Sequence, residues 1–241
     1  MRTATFGTRL NHWGTLAALM TCGACATVEG SGHVVSEERP IANFDRVTLK
    51  DQGTIDFTQA DKVELVVEAE DNIVDEFKAR VNDGKLVIEQ RRDVWLRPTT
   101  PIRFHLSGPA LRRVELDGSG RFHSERLETP SLFIDVDGSG KVKLDSLQAD
   151  TLQVKVEGSG DLTLVGEVIS QNVDISGSAD YRAGNLESAH ATIDVSGSAD
   201  ATLFVTDELV VDIEGSGAVY YRGDPRVRSD IDGSGKLRAI E

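Results

Sequence analysis

Only two cysteines occur in the 241 residues, Cys22 and Cys25, and both fall within the first 25. No disulfide framework can brace the remainder, so its stability has to come from packing. Long apolar runs are missing as well. The segment Leu16-Ala17-Ala18-Leu19-Met20 is far below the ~20 residues that a membrane-spanning helix needs. Positive charge is scarce, with 26 Lys and Arg against 40 Asp and Glu and a formal net charge of −14. Nucleic acid and anionic lipid faces are poor partners for such a surface. From Asp117 onward no stretch carries an apolar period of 3.6, which leaves helices out of that half.

What the chain does have is repetition. A Gly-Ser pair followed by Gly or Ala recurs seven times, beginning at Gly118, Gly138, Gly158, Gly177, Gly197, Gly215 and Gly233. These glycines are separated by 20, 20, 19, 20, 18 and 18 residues. So even a spacing is the mark of one supersecondary unit stacked on itself. Two residues before each glycine stand Leu116, Val136, Val156, Ile175, Val195, Ile213 and Ile231. Four before stand Val114, Ile134, Val154, Val173, Ile193, Val211 and Ser229, with polar residues between the two columns. That alternation predicts a half-buried strand running up to each turn. A second apolar column follows four residues after the glycine: Phe122, Val142, Leu162, Tyr181, Ala201, Val219 and Leu237.

A unit of this size spans about 60 Å when extended, enough for one lap around a thin apolar core. The fold expected is all-β: a β-solenoid, like a parallel β-helix, with repeats of 18–20 residues and Gly-Ser-Gly corners. The seven leading glycines are expected to serve structure, at corners where φ is positive or the next lap approaches closely. A sandwich of meandering hairpins is the alternative, and identical corners at even spacing weigh against it.

Residues 98–241 hold the regular repeats, and residues 26–97 form an N-terminal β sub-region. The latter contains one more Gly30-Ser31-Gly32, the strand-like runs Arg46–Leu49, Thr54–Phe57 and Lys62–Glu68, and a turn at Asn82-Asp83-Gly84. Asp71–Phe77 is the one mildly helical patch. Residues 1–25 form a targeting leader, with Arg2 and Arg9 ahead of the short apolar core. Gly23-Ala24-Cys25 is similar to a bacterial lipoprotein box and makes Cys25 the candidate lipid attachment site. Cys22 after Leu19-Met20-Thr21, and ordinary cleavage after Ala26, stay open as alternatives. Without the leader the chain keeps 24 basic and 40 acidic residues, a balance of −16.

The candidates for chemistry are diffuse. Asp135, Asp174, Asp194, Asp212 and Asp230 share one outward position of the repeat, interrupted by Lys155. Carboxylates stacked ~5 Å apart repel, and calcium would relieve this, but a column supplies no cage of six to eight oxygens. The reading adopted is a solvated polar face with no cofactor and no metal. His33, His105, His123 and His190 show no metal spacing, and the repeated serines are explained by the turn. Trp95 and Tyr220-Tyr221-Arg222 could face a sugar, with one of the two tyrosines packing inside. No catalytic residues are assigned.

Gly30-Ser31-Gly32, then Glu38-Arg39-Pro40 with Phe44-Asp45-Arg46-Val47, then the string of Gly-Ser-Gly corners together resemble a bacterial family. It is the putative auto-transporter adhesin, head GIN domain family, a domain of unknown function in envelope proteins and lipoproteins. The resemblance spans roughly residues 30 to 235. It implies a β-solenoid-like fold exported to the envelope, in the outer membrane, the periplasm or at the cell surface, and it supplies no catalytic residues. The function expected is non-enzymatic display or binding of an envelope or extracellular ligand, polysaccharide or protein, with the membrane touched only through the N-terminal lipid. A periplasmic carbohydrate-binding or carbohydrate-active solenoid is the alternative, and a purely structural spacer a third.

Overall fold

The computed structural model describes residues 26–91 and 94–241, so the leader, Cys22 and Cys25 lie outside the described residues. The chain begins with β1 (Ala26–Glu29), β2 (Val34–Glu38), β3 (Arg46–Asp51), β4 (Thr54–Gln59) and β5 (Glu64–Glu70). A single 3-10 turn, Val74–Glu76, stands where the helical patch was expected. Then follow β6 (Phe77–Asn82), β7 (Lys85–Gln90), β8 (Val94–Arg97) and β9 (Arg103–Gly108). The repeats supply β10 (Arg113–Gly118), β11 (Arg121–Ser124), β12 (Leu127–Gly138), β13 (Lys141–Gly158) and β14 (Asp161–Gly177). They continue as β15 (Asp180–Gly197), β16 (Asp200–Gly215), β17 (Ala218–Arg222), β18 (Arg226–Gly233) and β19 (Lys236–Ala239).

These strands wind into a β-solenoid of about six turns. Each lap pairs in parallel with the next, glycine on glycine: Gly118 with Gly138, Gly158, Gly177, Gly197, Gly215 and Gly233 in succession. The two inward columns before the corner are buried from Val114 and Leu116 down to Val211 and Ile213, and Phe122, Val142, Leu162, Tyr181 and Ala201 close the core from the other side. Each buried Val, Leu or Ile contributes about 1.5–3 kcal/mol of transfer free energy, so the stack holds together without cross-links. One polar chain runs through this core. The Tyr181 hydroxyl donates to Gln171 Oε1 at 2.8 Å, Gln171 Nε2 donates to Ser188 Oγ at 2.8 Å, and Ser188 Oγ donates to the Phe204 carbonyl at 3.0 Å. Burial pushes the phenol far above its ordinary range, so it stays a neutral donor.

The corner shows why glycine leads each repeat. At Gly177 φ is +131°, and a Cβ would lie 2.2 Å from the carbonyl oxygen of Gly158. That same carbonyl accepts the N–H of Ser178 at 2.8 Å, so it cannot move aside without breaking the ladder. All seven leading glycines have φ between 110° and 131°. The carbonyls of Gly118, Gly138, Gly158, Gly177, Gly197 and Gly215 each accept the N–H of the serine in the next lap, which keeps the ladder continuous around the bend.

Stacking order departs from chain order at the N-terminal end. β3 and β4 lie directly on β10 and β11, while β7 and β9 cover their other side. The lap 46–59 is thus sandwiched between two laps that come later in sequence. Its corner is Asp51-Gln52-Gly53, with Asp51 in register with Gly118 and at φ +78°. The ladder to β7 ends at the Leu49–Ile88 pair, so no carbonyl is laddered over Asp51 and a side chain is tolerated there. Antiparallel strands close this end: β6 hairpins onto β7 through Asp83 and Gly84, β5 lies on β9, and β2 lies on β5.

Candidate binding surfaces

Strand alternation sends every second residue outward, so each flat side of the solenoid carries columns of side chains in register. The column centred on the first side reads Thr48, Glu115, Asp135, Lys155, Asp174, Asp194, Asp212 and Asp230. Its upper part is compensated. Glu115 accepts hydrogen bonds from Thr48 Oγ1 at 2.7 Å, Lys85 Nζ at 2.5 Å and Arg113 Nη1 at 3.0 Å. Partial burial opposes ionisation, but these donors outweigh it and hold the carboxyl at about 2. Lower down there is no such compensation. Burial raises the Asp194 carboxyl, and Asp212 and Asp174 beside it raise it further.

The second side brings together two of the four scattered histidines. His105 and His123 flank Asp56 in one column, because β9, β4 and β11 stack in that order. His123 Nε2 is 2.9 Å from Asp145 Oδ2, and His123 Nδ1 is 3.5 Å from Asp56 Oδ1. No local spacing could have revealed this, since the three residues come from separate parts of the chain. Among the described residues no group of three or more His, Cys, Asp or Glu is arranged to hold a metal ion.

The corner edge carries the most exposed aromatic among the described residues. Trp95 on β8 is 65% exposed and borders a groove of about 500 Å³ with Asp51, Gln52, Gln90, Leu96 and the Gly-Ser pairs at 118 and 138. Gln90 is oriented by its bond to the Val94 carbonyl at 2.9 Å and by Gln52 Nε2 at 3.3 Å. The tyrosine pair forms no such platform: Tyr221 packs against the core, and Arg222 lies over the Phe204 ring at 5.4 Å.

A parallel β-solenoid with glycine corners and outward charge columns defines the class, and comparison with known proteins defines the family. Residues 43–225 match the family described as putative auto-transporter adhesin, head GIN domain, and the chain belongs to it. The crystal structure of a putative adhesin from Bacteroides fragilis is similar at a TM-score of 0.85 and 25% identity, covering 88% of this chain and 100% of that one. A structure described as a putative lipid binding protein from Parabacteroides distasonis matches at 0.74 and 24% identity, over 89% of this chain and 100% of that one. A putative adhesin from Parabacteroides merdae matches at 0.72 and 17% identity, over 90% and 100%. A search of curated proteins finds no match. The chain is therefore adhesin-like in family and fold.

Proposed function

We propose that this chain is a non-enzymatic binding and display protein of the bacterial envelope, exported, anchored through lipid on Cys25 and exposed at the cell surface. Its family supports an adhesin-like role, and its stack is a rigid scaffold for presenting a side or an edge to a ligand. The observation that carries binding is Trp95, an indole face left 65% exposed in a chain with only 5% aromatic residues. An indole beside the Gln52 and Gln90 amides suits a pyranose ring, which stacks its C–H face on the aromatic while its hydroxyls bond the amides. The net charge of −14 disfavours polyanions, so a neutral polysaccharide fits best. Calorimetric titration of the full chain with neutral envelope polysaccharide tests this. Wild type is expected to bind saturably, with Trp95→Ala weakening affinity at least ~10-fold, as loss of a stacking partner does. Equal binding by the variant would remove the groove as the ligand site.

A further inference from the structure

The last lap leaves open what every earlier lap covers. β18 ladders onto β16 and β19 onto β17, and among the described residues nothing pairs with their far edges. Val227 and Ile231 continue the columns of Leu209 and Ile213, which are fully buried, yet each is 38% exposed. Backbone groups are unpaired there as well. In an earlier lap Phe133 and Ser139 both give their N–H groups back to the preceding lap, so the alternation runs unbroken from strand into corner. In the last lap Ser234 and Lys236 do the same. By that alternation the N–H and C=O groups of Val227, Ser229 and Ile231 face the open edge.

The sequence on this edge is Arg226-Val227-Arg228-Ser229-Asp230-Ile231-Asp232, whose charges invert about Ser229. We propose that a second copy of this chain stacks on this end, with β18 running antiparallel to its mate about a two-fold axis through Ser229. In that register Arg228 faces Asp230 of the partner subunit, and Arg226 faces Asp232 of the partner subunit. Val227 meets the partner's Ile231, Ser229 exchanges both backbone hydrogen bonds with the partner's Ser229, and every contact occurs twice, as an isologous interface requires. Parallel stacking of the same strand would instead set arginine over arginine and aspartate over aspartate. Charges within the chain agree. Asp230 stands next to Asp212 in its own column, a like-charge contact that an arginine from the partner relieves. Arg228 bonds Glu208 at 2.7 Å but is 75% exposed, so its fork has donors to spare. Assembly stops at two copies, because a two-fold contact uses up this edge in both of them.

Sedimentation velocity of the full chain in mild detergent reads this out. Wild type is expected to sediment as a dimer. Arg228→Asp alone and Asp230→Arg alone each turn two attractive contacts into repulsive ones, and each should raise the dimer dissociation constant about 10- to 100-fold. The double variant restores opposite charges across the axis and should restore the dimer. Ser229→Pro removes only an N–H that faces the open edge, so it should give a monomer whose urea midpoint matches that of wild type diluted below its dimer dissociation constant. A monomeric wild type at high micromolar concentration overturns the proposal. So does a dimer indifferent to the single swaps, or one that the double swap fails to rescue.

Discussion

Two regions of one column show what position in a repeat does and does not decide. Glu115 and Asp194 occupy the same outward place in their laps, and the ladder connects them residue by residue. Near the N-terminal end Lys85, Thr48 and Arg113 converge on Glu115 and hold its carboxyl at about 2. Four laps further on, beyond Lys155, Asp194 lies between Asp174 and Asp212, and its carboxyl is raised by burial and by both neighbours. The repeat fixes which way a side chain points. The residues above and below it fix its electrostatics, because stacking sets neighbours at ~4.8 Å.

Both carboxylates owe their position to a strand with a true inside and outside, and a charge placed inside has the largest effect. Ile175→Asp puts a carboxylate into a fully buried column, and a loss of at least ~4 kcal/mol is expected, enough to abolish cooperative unfolding by urea. Asp174→Asn, one residue away and exposed, should stay within ~0.5 kcal/mol of wild type. Similar losses for the two would overturn the assignment of sides. Next in size is the corner that holds the register: Gly177→Ala adds a Cβ against the Gly158 carbonyl at positive φ, for an expected loss of about 3 kcal/mol.

The column itself supplies the two smaller effects, and they have opposite signs. Because the folded-state carboxyl of Glu115 lies below its unfolded value, its stabilisation is complete above the unfolded value and is lost as pH falls toward about 2. Glu115→Gln should cost about 1–2 kcal/mol at pH 7 once solvent screening is allowed for, and should flatten the acid limb of stability between about pH 4.5 and 2. Asp194 is raised instead, so its ionised form opposes folding, and stability rises as pH falls through its folded-state value. Asp194→Asn should therefore raise the urea midpoint slightly, by at most ~0.5 kcal/mol, and the gain should shrink in high salt. Urea titrations across pH check both signs together.

Much of this architecture was legible in the chain. The columns Val114–Leu116 to Val211–Ile213 were readable because burial on one side of a strand leaves a period of two, and the corners because a positive φ under a close carbonyl leaves little besides glycine. The first lap escaped that reading, since Asp51 replaces the leading glycine where no carbonyl is laddered above it. The partners of Glu115 escaped it too: Lys85 and Thr48 reach it only because the lap 46–59 stacks on residue 113 rather than on its chain neighbour. Pairing over some 67 residues leaves no local signal. The Trp95 groove was visible only as an aromatic residue of uncertain direction, because β8 pairs with β1 in a small sheet apart from the repeat.

Exposure at the cell surface is the claim on which the functional account turns. Labelling of intact cells with a membrane-impermeant amine-reactive biotin, with lysed cells as control, tests it directly. Lys62, Lys141 and Lys143 have side chains more than half exposed and offer amines to the reagent. Labelling of the chain on intact cells is the expected result. Labelling only after lysis would confine it behind the outer membrane and contradict surface display.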